Sequence, residues 1–271
     1  MRNTVSDILP VVVLYCTPLE ETAVYRTLLS SGAFRRFMVY DNSPAEYLQH
    51  PVPDTAEYVR DAHNSGLSKA YNTAAEYART HGFSRVLLLD QDTQFPADAV
   101  ACYAAADRYC SFWAPAVKTQ KGAPLSPTVN TLTGVRAVTL QPGLHSLRRH
   151  YVINSGMCVD VYAFCAAGGY NEAVRLDFAD FQFLERLKQV DSRLLLLPFV
   201  AIQDFSNEVV DEAQLFRRFT LYVQSFKACC FNNRRTRLRH GLGVLKHTLN
   251  LTARTRKTVF IKYLFSELFI K

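Results

Sequence analysis

The sequence lacks the fingerprints of several common site chemistries. It has no G-x-G-x-x-G and no G-x-x-x-x-G-K-[ST], so neither a dinucleotide-binding turn nor a P-loop is signalled. It has no G-x-S-x-G elbow and no H-E-x-x-H, and its seven His show no metal-ligand spacing, which leaves hydrolase and metalloprotease readings unsupported. No apolar run approaches the roughly 18–20 residues a membrane-spanning helix needs. The first apolar run, Pro10–Tyr15, is too short for a signal-peptide core and follows Asp7 rather than a basic stretch, so a cytosolic chain is expected. There is no C-x-x-C. Seven scattered Cys, an odd number, argue against a zinc knuckle or a disulfide framework, and reduced, mostly buried thiols are expected. Only 11 Gly and 11 Pro in 271 residues, with 49% hydrophobic and 20% charged residues, exclude collagen-like and disordered chains. The length suffices for one large domain, or one domain with an appendage.

Charge is unevenly placed. From Ala213 to Lys271 there are 13 Lys and Arg against one acid, Glu267, which gives +12; the whole chain carries +7, so residues 1–212 carry −5. A basic end on an acidic body points that end at something anionic.

Residues 1–117 repeat a short β-branched run followed by an amphipathic stretch. Strands are expected at Pro10–Tyr15, Arg36–Tyr40, Glu57–Arg60, Arg85–Leu89 and Phe112–Val117, with helices from Pro18 to about Leu29, over Gly66–Thr80 and from Pro96 to Tyr109. Such alternation implies crossover connections and a mostly parallel sheet covered by helices on both faces, an α/β fold with ligands beyond the carboxyl ends of its strands. Residues 118–150 read as hairpins or a mobile loop. A short helix near Val159–Ala167, a helix over Asp177–Gln189 and a strand at Arg193–Leu197 follow. From Asp211 the chain reads as a helical extension, with a basic break at Asn232-Asn233-Arg234-Arg235 and a second helix from about Leu242.

Several residues stand where chemistry is possible, each with a plainer reading beside it. Asp90-Gln91-Asp92 follows a wholly apolar strand; two such carboxylates suit a divalent cation shared with a diphosphate, or simply a solvated turn. Asp41 closes the second strand in a D-N-S turn and either accepts from a ligand N–H or hydroxyl, or serves its own turn. Asn64 and Gly66 open a helix whose N-terminus favours phosphate, or is merely capped. Asp177 and Asp180, three apart, share one face of a helix start, as a general base with an acidic neighbour or as charges complementing the dipole.

In order, strand–D-N-S, N-x-G-L-S-x-A-x-N (64–72), L-L-L-D-Q-D-T (87–93), N-S-G-M (154–157) and G-G-Y-N-E before a D-x-x-D helix resemble the family 2 inverting glycosyltransferases of the GT-A fold, in particular their rhamnosyltransferase-like branch. The resemblance covers about residues 8–210. It implies a Rossmann-like GT-A domain over 1–210 and a basic helical extension over 211–271. It further implies a nucleotide-diphosphate sugar as donor and a glycan or lipid-linked hydroxyl as acceptor, in cell-surface polysaccharide or lipopolysaccharide synthesis. By it, Asp41 contacts the base, and Asn64 and Gly66 belong to the donor site. Asp92 and Asp90 hold a divalent metal, Mg²⁺ or Mn²⁺. Asn154, Ser155, Gly156, Asp177 and Arg186 lie on the sugar and acceptor side, and Asp180 is the catalytic base. Two departures stand out: Gln203 occupies the place of a family His, with Asp204 as a substitute ligand, and Ala179 replaces a Glu beside Asp180. They keep open an alternative, a weak or inactive paralogue that binds sugar nucleotides as a scaffold. The basic C-terminus is expected on the anionic inner face of the cell membrane through Phe260, Tyr263, Leu264, Leu268 and Phe269. The plainer reading packs those helices on the sheet. Nucleic acid is not an expected partner.

Overall fold

A computed structural model describes residues 5–48, 50–132, 134–204, 212–231 and 234–269. Its first half alternates as expected, through β1 (Ile8–Leu14), α1 (Ala23–Thr27), β2 (Phe37–Asp41), β3 (Ala56–Arg60), α2 (Leu67–Thr80), β4 (Arg85–Asp90), β5 (Thr93–Gln94), α3 (Ala99–Ala105) and β6 (Phe112–Thr119). A strand-rich stretch follows, with β7 (Pro124–Ser126), β8 (Thr128–Thr131), β9 (Gly134–Ala137), β10 (Gly143–Ser146) and β11 (Met157–Asp160). The chain continues through α4 (Val161–Ala166), α5 (Ala179–Val190) and β12 (Arg193–Gln203), and ends in α6 (Glu212–Ala228), α7 (Arg234–Thr255) and α8 (Val259–Phe269).

Eight strands form the main path of one sheet in the order β10-β12-β6-β11-β4-β1-β2-β3, with β1 to β4 parallel; β5 pairs with β12 and β7 with β6 beside that path, and β8 and β9 form a separate antiparallel pair. Alternation decides which layer each side chain joins. Leu9, Val11 and Val13 of β1 and Val86 and Leu88 of β4 enter one apolar core; Ile8, Val12 and Leu14 with Leu87 and Leu89 enter the other. Helices cover both faces, which is why these strands read as unbroken apolar runs.

Four expectations need correction. The first helix is broken into a 3-10 turn, a five-residue α1 and a second 3-10 turn closed by left-handed Gly32. Val159 and Asp160, expected to begin a helix, instead end β11, an antiparallel strand inserted between β4 and β6, and the helix starts at Val161. β12 does not stop at Pro198: it shifts register between Leu196 and Val200 and runs on to Gln203. The second C-terminal helix begins at Arg234 rather than Leu242, so Arg234-Arg235 of the expected break are helical; its Asn232-Asn233, Asp211 and Phe205-Ser206 lie outside the described residues.

The thiols are all free, but only Cys110 and Cys158 are buried, while Cys16, Cys165 and Cys230 are exposed. No helix among the described residues is long and apolar enough to cross a membrane. The side chains expected to dock on lipid mostly face inward. Phe260 and Leu264 join Phe219, Val223, Phe226, Val244 and Leu251 in a core of their own, and Tyr263 packs edge-on to Phe216 and Phe219. These rings are the ones α6 and α7 need to bury, so they are not free for a membrane.

Candidate active site

Two candidate carboxylates arrive at one rim by strand register. In the parallel sheet Leu14 of β1 is beside Asp41 and Val13 beside Asp90, so the two acids flank the carboxyl end of β1, about two strand spacings or 10 Å apart. Asp41 is buried. Its Oδ2 accepts from Tyr58 Oη at 2.6 Å and Arg60 Nη1 at 2.7 Å, and its Oδ1 from the Ser43 N–H at 2.9 Å. Burial alone would raise its pKa, but the hydrogen bonds from Ser43 and Tyr58 and the Arg60 charge outweigh it and hold the carboxyl below its usual range.

Asp90 is enclosed more tightly. Ser155 Oγ donates to its Oδ2 at 2.5 Å and Tyr71 Oη to its Oδ1 at 3.2 Å. The tail of β12 delivers a third partner, because Gln203 pairs with Thr93 of β5 and the Asp204 N–H donates to the Asp92 carbonyl. Gln203 Nε2 thereby stands 3.5 Å from both Asp90 Oδ2 and Asp92 Oδ1. Burial raises the Asp90 pKa; burial, then the Asp90 and Asp204 charges, push Asp92 up to about 7.

This donor set fits a hard divalent cation. Among the described residues no three His, Cys, Asp or Glu side chains are grouped as ligands, but Gln203 supplies a further oxygen. Ser155 has one hydroxyl proton, and Asp90 takes it at the shorter distance. The 3.2 Å approach of Gln203 Oε1 to Ser155 Oγ is then left without a hydrogen. A half-turn of the amide gives Nε2–H to Ser155 and sets Oε1 facing Asp90 and Asp92. Three oxygens then surround a place where two carboxylates already repel.

Asp180 lies in the first turn of α5 and accepts from the Phe181 N–H at 2.6 Å. Burial foremost, then the charges of Asp177 and Asp90, raise it to about 6. The influence of Asp90 puts both in one electrostatic neighbourhood, with Tyr71 and Tyr170 feeling the two acids together. Asp177 does not share a helix face with Asp180. The helix begins at Ala179, Phe178 before it is left-handed at φ 68°, and Asp177 turns away into a two-pronged pair with Arg218 of α6, at 2.7 and 2.9 Å.

The run 64–72 acts chiefly on its own chain. A Cβ on Gly66 would stand 2.4 Å from the Arg175 carbonyl, which also accepts from the first helical N–H, that of Leu67. Ser68 Oγ donates to the Val174 carbonyl, and the Asn72 amide accepts from the Tyr170 N–H and donates to the Tyr170 carbonyl and to Glu172. The motif thus clamps the loop 169–175 that leads to Asp180. Asn64 is an exposed left-handed turn residue. Gly156 similarly makes room for Pro115 and Tyr103, while Asn154 accepts from Tyr170 Oη at 2.7 Å. Arg186 donates through Nη2 to the Gly169 carbonyl of that loop. The structure therefore brings Asp90, Asp92, Ser155, Gln203 and Asp180 together with Asp41 at the neighbouring strand end; Asn64, Gly66, Gly156 and Arg186 shape the surroundings. Sequence reasoning missed Tyr71, Tyr170, Tyr58 and Arg60. Only Arg60 carried a signal, as the last residue of the strand beside Asp41.

Beside the rim a cleft of about 1220 Å³ separates the sheet from the C-terminal helices. Tyr15, Asp92, Asp177 and Asp204 line one wall; Arg217, Arg218, His247 and Arg254 line the other. Carboxylates on one wall thus face basic side chains on the other, a charge pattern suited to a cation beside an anion.

No family model and no curated protein matches this sequence. Solved structures do match. The chain superposes on GalNAc-T7, crystallised with UDP, GalNAc and Mn²⁺, with a TM-score of 0.54 and 14% identity over 96% of this chain and 56% of that one. It superposes on residues 1–349 of S. aureus TarS with a TM-score of 0.55 and 11% identity over 92% of each chain. For the TarS complex with UDP-GlcNAc the TM-score is 0.50 at 13% identity, over 97% of this chain and 76% of that one. The chain spans little more than half the length of the GalNAc-T7 structure. The shared architecture is the GT-A glycosyltransferase fold.

Proposed function

We propose that the protein transfers a sugar from a nucleotide-diphosphate donor to a hydroxyl of a glycan or lipid-linked acceptor, with inversion, as a family 2 enzyme near the rhamnosyltransferase-like branch acting in surface-polysaccharide assembly. The observation that carries this is the convergence of Asp90, Asp92 and Gln203 with Asp180 at the carboxyl rim of a GT-A sheet. Structural neighbours, one crystallised with UDP, GalNAc and Mn²⁺ and another with UDP-GlcNAc, support the donor class and the metal.

Asp41 accepts from the base through Oδ1. Asp92, Asp90 and Gln203 would hold Mg²⁺ or Mn²⁺, with Asp204 beside them; when bound, the cation neutralises the departing diphosphate. Asp180 takes the proton of the acceptor hydroxyl as that oxygen bonds to the anomeric carbon and the bond from that carbon to the diphosphate oxygen breaks on the opposite face. Residues 1–210 carry this chemistry, and 211–271 close the cleft over it.

The competing reading, a nucleotide-sugar-binding scaffold without turnover, draws on Gln203 and Ala179. Donor turnover with Mn²⁺, measured on wild type and Asp180→Asn over a panel of nucleotide sugars and simple acceptors, separates the two. Turnover confined to wild type is expected; equal rates in both proteins would remove Asp180 from the chemistry.

A further inference from the structure

The helix that lines the cleft with one face carries an unpartnered apolar ridge on the other. Leu238, Leu242, Leu245 and Leu249 of α7 are 66%, 41%, 39% and 49% exposed. On an α-helix they fall within about 60° of one another. The cleft residues His247, Leu251 and Arg254 and the core residues His240 and Val244 lie on the opposite side. Arg235, Arg239 and Lys246 run along one flank of the ridge and Arg234 along the other, and α7 contains no acid in its 22 residues. Exposed leucines beside a cationic row, on a helix not apolar enough to span a bilayer, are the pattern of a helix that lies in a membrane interface.

We propose that α7 docks flat on a membrane bearing anionic lipid headgroups, with Leu238, Leu242, Leu245 and Leu249 entering the headgroup–acyl boundary and the flanking Arg and Lys meeting phosphates. This assigns the contact to α7, not to the face that the sequence pattern offers, whose Phe260, Tyr263 and Leu264 are spent on the helical core while Leu268 alone among its described side chains is exposed. Charge complementarity selects lipid over a second copy of the chain, because two copies would bring the same cationic rows together. Docking in this way sets the cleft wall of α7 directly above the bilayer, within reach of a lipid-linked acceptor; that consequence rests on the transfer reading, while the docking does not.

Co-sedimentation of the full chain with phosphatidylcholine vesicles, with and without phosphatidylglycerol, tests it. Binding is expected only with phosphatidylglycerol and should weaken with salt. Replacing Arg235, Arg239 and Lys246 by Gln should cost about 100-fold, close to fivefold per charge. Leu242→Ser with Leu249→Ser should lower vesicle affinity more than tenfold, with the thermal midpoint and the turnover of soluble substrates unchanged. Failure of wild type to bind anionic vesicles, or equal binding by the leucine variant, would overturn the proposal. So would sedimentation velocity showing a dimer that the leucine changes split.

Discussion

Asp180 combines two properties that pull against each other. Burial beside Asp177 and Asp90 lifts its pKa to about 6, so it retains enough basicity to accept a proton near neutral pH. The rate of transfer should climb as pH rises through about 6 in wild type. Asp180→Asn should lose about 10²- to 10⁴-fold in kcat with little change in donor affinity, as read from steady-state kinetics across pH. Stability moves the other way. A carboxyl whose folded pKa exceeds its unfolded value stabilises fully below the unfolded value, and that contribution is lost as pH rises through the folded one. Asp180→Asn should therefore raise Tm at pH 8 and leave it nearly unchanged at pH 4. Gln203 is the second residue of consequence. If its Oε1 completes the cation site, Gln203→Leu should weaken Mn²⁺ binding by about 10- to 100-fold, measured as the Mn²⁺ concentration that half-saturates the rise in Tm.

The segment from Asn64 to Thr80 shows how an element earns its sequence. Its left-handed entry, Gly66 against the Arg175 carbonyl, Ser68 on Val174 and Asn72 on Tyr170 all fasten α2 to the loop before Asp180. Gly66→Ala places a Cβ against backbone at φ 97° and should cost about 2 kcal/mol or more, read as a lower urea midpoint at constant m-value. The parallel half of the sheet was legible because β1 and β4 are buried on both faces, and the apolar runs of β2 and β4 end at Asp41 and Asp90. β11 and the far end of β12 were not. Four residues of β11 are too few for periodicity, and Pro198 reads as a stop when its strand instead shifts register and continues. That hidden continuation delivers Gln203, so the pairing of Asp90 and Asp92 was legible from the strand pattern, whereas Gln203 was reached only through the family resemblance, in the place of a His. Asp177 shows the same limit: spacing of three placed it on a helix that, in the fold, begins only after it.

The C-terminal helices and the sheet meet at Phe178. Its ring lies 5.0 Å from Tyr222, 6.0 Å from Phe226 and 5.8 Å from His240, between Asp177, which pairs with Arg218, and the turn bearing Asp180. The basic extension is thus part of the site's wall as well as its surface. Phe178→Ala should lower stability by about 2 kcal/mol, less than for a wholly buried ring, and should move the pH midpoint of activity down as water reaches Asp180. The central claim is that the aspartate pair grips a nucleoside diphosphate through a cation while Asp180 acts on the acceptor alone. Calorimetric titration of a nucleoside diphosphate panel into wild type, Asp92→Asn and Asp180→Asn, each with Mn²⁺ and with EDTA, tests it most directly. The account predicts binding that needs Mn²⁺, is lost in Asp92→Asn and is retained in Asp180→Asn. Binding that is indifferent to EDTA and to Asp92→Asn, or no binding by any diphosphate, would contradict it.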